Sequence, residues 1–312
     1  MVDSLILDRQ LSRFGRIGVL YGGASSEREI SLMSGEAVYR ALKHSGLEVI
    51  LIDVKSDLLE VLPELELDQI FIALHGLGGE DGTLQGALEY LQLPYTGSGV
   101  LASSLAMDKR RCKQLWQGIQ LPTAEFCLLE KNTDWESVLH CLGGSAIVKP
   151  ASEGSSIGMS RVESASQLKE AWKLANDFDA VVIAEPLLTG DEYTVAILGS
   201  EALPSIRIRT PEIFYDYKAK YFSDETQYFC PSGLSTKKEN ELRDLAMKAF
   251  NSLNCRGWGR VDVMTDDQGR FQILEVNTVP GLTSHSLVPI AAQAAGINFN
   301  TLVLEILRSA LR

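Results

Sequence analysis

Positive charge is scarce in this 312-residue chain: 29 lysines and arginines face 41 aspartates and glutamates, a net charge of −12. That balance excludes a general nucleic-acid binder, which needs a basic surplus to neutralise phosphates. It leaves room for a local cationic pocket around a nucleotide. Cysteine is also sparse. Cys112, Cys127, Cys141, Cys230 and Cys255 are odd in number, scattered and never spaced C-x-x-C. This favours free thiols in a reducing compartment over a disulfide frame or a zinc site. No uninterrupted apolar run reaches membrane-span length, and Met1-Val2-Asp3-Ser4 lacks the basic stretch and apolar run of a secretory leader. The expectation is a cytoplasmic protein without membrane or nucleic-acid partners. Repeats and low-complexity tracts are absent too. What remains, 45% hydrophobic and 22% charged, is a globular composition with length for two or three domains.

The first part of the chain alternates strand and helix signals. Ile17–Tyr21 reads as a buried strand ending in Gly22-Gly23. Ser26-Glu27-Arg28-Glu29 fits a capping box, with Ser26 as the cap and Glu29 reaching back. Ile30, Met33, Ala37, Val38 and Ala41 follow at helical spacing until Gly46. Leu47–Val54 and Gln69–Leu74 are further strands, so residues 1–107 read as a parallel sheet with helices on its faces. Residues 108–187 change character. Asp108 caps a helix to about Gln117, and short strands follow at 125–129, 146–149, 159–162 and 180–185, with helices near 134–142 and 164–177. This is a small α+β domain. In 188–312, strands are expected near 191–198 and 202–209. An aperiodic stretch from Thr210 to Leu234 carries Tyr215, Tyr217, Tyr221 and Tyr228; it is long for a plain connection and reads as a functional, mobile loop. Leu242, Leu245, Ala249, Phe250 and Leu253 then mark an amphipathic helix.

The most informative segment follows. Gly259–Met264 and Phe271–Asn277 flank Asp266-Asp267-Gln268-Gly269, which is strong turn chemistry, so the two runs should pair as an antiparallel hairpin. The register that sets Asp262 opposite Glu275 also sets Arg260 opposite Asn277, and all four share one face. Opposed carboxylates repel, and the apolar Val261, Val263, Ile273, Leu274 and Val276 imply that this hairpin is buried, where the repulsion is worse. A divalent cation resolves the conflict, and oxygen donors favour magnesium. The competing reading is a solvated strand face with a nearby arginine salt bridge.

Three other clusters stand out. A strand delivers Lys149 directly into Pro150-Ala151-Ser152-Glu153-Gly154-Ser155-Ser156-Ile157-Gly158. A Gly/Ser loop of this kind can cradle phosphates while the lysine adds a point charge, although G-x-x-x-x-G-K-[ST] is absent. Leu74–Gly82, with His75, Glu80 and Asp81 among its glycines, sits at a strand's carboxyl end, where open α/β sheets place ligands. Asn277–Ser286 leaves the hairpin with backbone donors and hydroxyls and opens a helix, a natural carboxylate site.

These residues closely resemble the D-alanine–D-alanine ligase family. The resemblance rests on Gly22-Gly23-Ala24-Ser25-Ser26-Glu27-Arg28-Glu29-Ile30-Ser31, on His75-Gly76 with Gly79-Glu80-Asp81-Gly82, and on Asp108-Lys109. It rests further on Glu153-Gly154-Ser155-Ser156 and on Glu275-Val276-Asn277 with Pro280-Gly281. In order from residue 18 to about 289, the motifs cover nearly the whole chain. The resemblance implies an ATP-grasp fold, α/β and α+β, in which two α+β domains clamp ATP behind an N-terminal Rossmann-like domain. It further implies that Asp262, Glu275 and Asn277 ligate two magnesium (or manganese) ions. Lys109 and Lys149 match the lysines on the α- and β-phosphates, Glu185 the adenine contact and Glu192 the ribose contact, with Ser156 and Leu188 also on ATP. Lys220 lies where the mobile loop reaches the phosphates. Glu27 matches the carboxylate that holds the first substrate's ammonium, hydrogen-bonded with Ser155 and Tyr221 when the loop closes, and His75 lies near that substrate's carboxylate. Arg260 and the Gly281 N–H match the oxyanion and phosphate stabilisers, and Ser286 with the Leu287 N–H the clamp on the second carboxylate. Pro186 stands where many relatives carry lysine.

The implied activity is ATP-dependent ligation of two D-alanines through D-alanyl phosphate, for cell-wall peptidoglycan, by a homodimer. The alternatives are a D-alanine–D-serine or D-alanine–D-lactate ligase, or a non-catalytic ATP-binding regulator. Tyr221 favours an amino acid as second substrate, while one added hydroxyl is poorly rejected by a small pocket.

Overall fold

The computed structural model describes residues 13–154, 156–210, 226–283 and 285–311. The chain starts with β1 (Arg16–Gly22), α1 (Arg28–His44), β2 (Glu48–Val54), α2 (Leu58–Val61) and β3 (Gln69–Ile72). The strands lie in the order β2-β1-β3, all parallel. Ile17, Val19, Leu20, Ile70 and Phe71 are sealed from solvent, as an unalternating apolar run requires when helices cover both faces.

The start of α1 corrects the capping-box expectation. Glu27 flanks the helix and no side chain caps it. Ser25 rather than Ser26 does the local bonding: its hydroxyl accepts from the Glu27 N–H at 3.2 Å and donates to the His75 carbonyl at 2.7 Å. The His75 loop draws this turn into a tertiary contact that a local pattern does not contain.

Next come α3 (Thr83–Tyr90), α4 (Val100–Met107) and α5 (Lys109–Gly118). Asp108 caps α5 by accepting from the Arg111 N–H at 2.9 Å. A small unit follows, made of β4 (Cys127–Leu129), α6 (Trp135–Cys141), β5 (Ala146–Pro150), β6 (Ser160–Val162), α7 (Ala165–Asn176) and β7 (Val182–Pro186). Its antiparallel sheet runs β4-β7-β5-β6 and closes a separate core around Val148, Leu168 and Ala184.

The largest sheet among the described residues contains β8 (Glu192–Leu198), β9 (Glu201–Ala202), β10 (Ile206–Arg209), β11 (Gln227–Phe229), β12 (Trp258–Thr265) and β13 (Phe271–Asn277). Its order is β11-β10-β8-β12-β13, with β9 beside β8. Two sequence expectations need correction here. The strand expected over 202–209 is split into β9 and β10 around Pro204, which has no N–H for a ladder. The stretch from Thr210 to Leu234 is not all loop, because β11 within it pairs with β10; residues 211–225 between those strands lie outside the described residues.

This sheet serves two cores. Tyr193, Val195 and Ile197 of β8, with Val261 and Val263 of β12, face α8 (Thr236–Ser252). On the other side, Ala196 and Trp258 join the core of the N-terminal sheet, completed by α9 (Leu287–Ala294) and α10 (Phe299–Arg308). The end of the chain therefore seals the core of its beginning. All five cysteines are free. Burial pushes the Cys255 thiol up to about 12 and raises that of Cys112 further, so both pack as neutral thiols. No single helix among the described residues is long and apolar enough to cross a membrane.

β12 and β13 pair with Arg260 opposite Asn277 and Asp262 opposite Glu275, as the sequence suggests, but the register shifts beyond Asp262, where Val263 pairs with Ile273. Leu274 is the extra residue of a β-bulge. Phe271 and Ile273 point into the α8 core, and so does Val276. Strict alternation would place Glu275 and Asn277 on that apolar face with Ile273. The bulge turns them to the opposite side, beside Arg260 and Asp262.

Gly259 permits α8 to approach this hairpin. A Cβ there would lie 2.6 Å from the Phe250 ring and 2.8 Å from the Asn277 carbonyl. Gly259→Ala should cost about 1–3 kcal/mol by overpacking, lowering the melting temperature by a few degrees in a thermal scan. A wild-type melt would mean that α8 can retreat freely from β12.

Candidate active site

The bulged hairpin forms one wall of a cleft. Opposite stand the end of α4, the start of α5, the His75 loop and the loop after β5. One pocket lies between Glu27, His75, Glu80, Lys109, Arg260 and Gly281, and a larger cavity of about 340 Å³ lies between Lys149, Glu185, Glu192, Asp262 and Met264. Lys109 and Glu275 line both. The two spaces meet at one cation and one anion.

On the hairpin face, the Arg260 guanidinium forks onto both Asp262 oxygens at 2.8 and 2.7 Å. Asp262 also accepts from the Thr194 hydroxyl at 2.6 Å and from the Asn277 amide at 3.0 Å. Glu275 lies 3.2 Å from the Lys109 ammonium. The sequence argument that a metal is required to separate the two carboxylates is thus too strong: the chain's own cations offset both charges. The arginine pair set aside in that argument exists, yet it is buried rather than solvated. Among the described residues, no three His, Cys, Asp or Glu side chains converge as a metal cage.

Lys109 is held at its root and at its tip. Its backbone N–H donates to the Ala151 carbonyl at 2.9 Å, and its ammonium to the Glu153 carbonyl at 2.6 Å. Burial alone would lower its pKa, but Glu275 outweighs that and raises it. Lys149 projects from β5 to Glu185 on the neighbouring β7, 2.7 Å away. Ser156, Leu188 and Glu192 line the same cavity, and Ser156 takes a left-handed φ of 60°, which turns the Gly/Ser loop.

At the smaller pocket, the Glu27 carboxylate lies between two loops. A Cβ on Gly76 would be 2.9 Å from its Oε2, and one on Gly154 3.2 Å from it, so glycine at both places lets backbone reach the acid. His75 is buried. Its Nδ1 contacts the Val279 carbonyl at 2.8 Å, so Nδ1 carries the proton and donates, while Nε2 meets the Ser34 hydroxyl at 3.2 Å. The Ser34 oxygen also accepts from the Leu282 N–H at 3.1 Å. Burial opposes protonation of His75, but the Glu80 and Glu27 carboxylates prevail and raise its pKa. Glu80 is itself raised, by burial and by Glu27, against the pull of His75.

Not every sequence-derived site residue gathers here. Ser286 is buried and its Oγ accepts from the Thr283 N–H at 3.0 Å; with Leu287, at the first turn of α9, it stands outside the residues lining either pocket. Ser155, Lys220 and Tyr221 lie outside the described residues.

Two side chains carry more than the sequence suggests. Glu80 belongs to the glycine-rich Leu74–Gly82 segment, where the sequence gives it no individual role. Lys113 has no motif to mark it; it is fully buried, 3.2 Å from Glu185. Helical spacing could have found it, since Lys109, Cys112, Lys113 and Trp116 share one buried face of α5.

Comparison with known proteins places the chain in a family. The family model described as D-ala D-ala ligase N-terminus matches residues 16–59 and 58–98, and that for the D-ala D-ala ligase C-terminus matches 115–308. A D-alanine–D-alanine ligase of Saccharophagus degradans is 53% identical over 304 residues, covering 97% of both chains. One from Pseudomonas putida is 53% identical over 305 residues, covering 98% of this chain and 96% of its own. Among solved structures, the D-alanine–D-alanine ligase of Bacillus anthracis superposes with a TM-score of 0.86 at 35% identity, covering 96% of this chain and 98% of that one. The same enzyme complexed with ATP gives 0.84 at 33% identity, with the same coverage. From two directions, the ordered motifs and the shared architecture, this chain belongs to the D-alanine–D-alanine ligase family.

Proposed function

We propose that this protein joins two molecules of D-alanine into D-alanyl-D-alanine, consuming ATP, with peptidoglycan synthesis as the use of the product. The observation that carries the reading is the meeting of two pockets at Lys109 and Glu275. One is small, polar and floored by a carboxylate. The other is larger and part apolar, with lysines at its inner end. An amino acid and a nucleotide held there would face each other across the shared pair.

ATP occupies the larger cavity, its base among apolar side chains beside Glu185, its ribose near Glu192 and its phosphates toward Lys109, Lys149 and the Gly154–Ser156 loop. Lys220 completes the cationic surround. The donor set on the hairpin fits a hard cation: Asp262, Glu275 and Asn277 supply oxygens, and two Mg²⁺ or Mn²⁺ ions held there would draw their other ligands from phosphate and water. When bound, such ions neutralise charge on the transferring phosphoryl group.

Glu27 holds the ammonium of the first D-alanine, with His75 near its carboxylate. That carboxylate attacks the γ-phosphorus, giving D-alanyl phosphate and ADP. Ser155 and Tyr221 join Glu27 to close the site, because an acyl phosphate hydrolyses when water enters. The amine of the second D-alanine, its carboxylate set by Ser286 and the Leu287 N–H, then attacks the acyl carbon. Arg260 and the Gly281 N–H stabilise the tetrahedral oxyanion, and phosphate leaves. Holding both substrates in line supplies much of the rate, since no covalent enzyme intermediate is needed. The assembly is a homodimer in the cytoplasm.

The reading is tested by magnesium-dependent phosphate release from ATP with D-alanine, L-alanine, D-serine or D-lactate, with products identified by mass. D-Alanyl-D-alanine should form from D-alanine; ATP binding without turnover on any of them would move the function elsewhere. Glu275→Gln should still fold, with a lower melting temperature because Lys109 loses its partner, and lose about a hundredfold in activity; wild-type turnover in that variant would remove the metal assignment. Tyr221→Phe should admit D-lactate as second substrate. An unaltered substrate profile would mean that Tyr221 does not set specificity.

A further inference from the structure

Lys113 is 0% exposed, and a buried ammonium needs a reason, because an apolar side chain of its size would pack there at lower cost. Its three N–H groups have three acceptors: the Thr123 hydroxyl at 2.9 Å, the Ala124 carbonyl at 3.1 Å and Glu185 at 3.2 Å. Thr123 in turn donates to the Ile273 carbonyl at 2.8 Å. Lys113 is thereby fixed to the segment where the chain enters the β4–β7 unit. Glu185 closes β7, just before the chain leaves that unit. One ammonium pins both crossings at the back of the nucleotide cavity.

Glu185 has a second counter-ion, Lys149, which differs in kind. Lys149 stands on the cavity wall and, in the reading above, turns to the triphosphate. Glu185 then keeps only Lys113. A buried carboxyl without a cation takes up a proton, and the consequence is chemical: a carboxylate only accepts hydrogen bonds, whereas a carboxylic acid also donates. Burial raises the Glu185 pKa, but Lys113 and Lys149 together outweigh it and bring it below the usual value. Lys113 itself is lowered, by burial. The charged groups around Glu185 are Lys113 and Lys109 on α5 and Lys149 on β5, with Asp191, Glu192, Arg209, Asp262 and Glu275 elsewhere on the cavity wall.

We propose that Lys113 is a positioning residue that keeps Glu185 a pure acceptor in the base pocket, so that the site selects a purine with an exocyclic amine over one with a carbonyl at the same position. The inference rests on Glu185 facing the base, as placed above. It adds what holds that carboxylate ionised once the phosphates have drawn Lys149 away.

The probe is the ratio of kcat/KM for ATP over ITP, which differ in that exocyclic group and in the N1 proton that accompanies the carbonyl; the N1 difference is the same at every pH between 6 and 8, so a change of the ratio with pH reports the protein. In the wild-type protein the ratio should be flat between pH 6 and 8; a ratio that falls toward pH 6 would show that Glu185 titrates despite Lys113 and overturn the proposal. Lys113→Met should raise KM for ATP about tenfold with little change in KM for D-alanine, and its ATP/ITP ratio should drop about tenfold at pH 6 and recover toward pH 8. A purely structural role would change the melt without introducing that pH dependence. Glu185→Gln separates the two layers of the argument. If it leaves the ratio at the wild-type value, the base contact itself is wrong; if it shifts the ratio while Lys113→Met does not, only the role of Lys113 fails. Should Lys113→Met fold poorly, the melts are compared at saturating ATP, where Lys149 is on the phosphates; there Lys113→Met/Glu185→Gln removes the uncompensated carboxylate and should melt higher. A double variant that melts no higher would refute the coupling.

Discussion

The pairing of β12 with β13 has to satisfy two incompatible neighbours. One face packs α8 and must be apolar; the other lines the cleft and must carry charge. Regular alternation would suffice if each strand kept one period, but β13 does not. Phe271 and Ile273 belong to the core, and so does Val276, an odd step away. The bulge at Leu274 absorbs the mismatch. At that point Ile273 bonds through its N–H to Pro122 and through its carbonyl to Thr123. The irregularity that aims Glu275 into the cleft therefore also docks the segment entering the β4–β7 unit, so the geometry of the charged face and the position of the opposite wall share one origin.

The charges in the cleft are arranged in alternation. Arg260 meets Asp262, Lys109 meets Glu275, and Lys149 and Lys113 flank Glu185. Exposed ion pairs contribute at most about 1 kcal/mol, but these are largely buried, and stranding one partner of a buried pair costs about 3–5 kcal/mol. Such pairs are weak reasons for stability and strong reasons for a defined geometry. A ligand carrying phosphates and cations can exchange into this lattice only if it brings compensating charge.

The N-terminal unit is tied to the loop that leaves the same hairpin by hydrogen bonds rather than charge alone. His75 reaches the carbonyl of Val279, and Ser34 of α1 reaches both His75 and the Leu282 N–H. Three segments distant in sequence meet at these two side chains, and Glu27 lies close by with glycine backbone on either side. The small pocket is consequently walled by the beginning, middle and end of the chain.

The sequence alone determined the element types over most of the chain, the common face of Arg260, Asp262, Glu275 and Asn277, and the family, because those signals are local: strand alternation, helical spacing, turn chemistry and ordered short motifs. The tertiary structure decided which charges neutralise which, the bulge and its docking, the burial of His75 with Glu80, and the place of Lys113. It also moved the bonding at the start of α1 from Ser26 to Ser25 and split the strand expected over 202–209. These features depend on groups far apart along the chain; Thr123 and Ile273 are 150 residues apart. Periodicity records which side of an element is apolar, but not which distant backbone atom or ammonium will be brought against it.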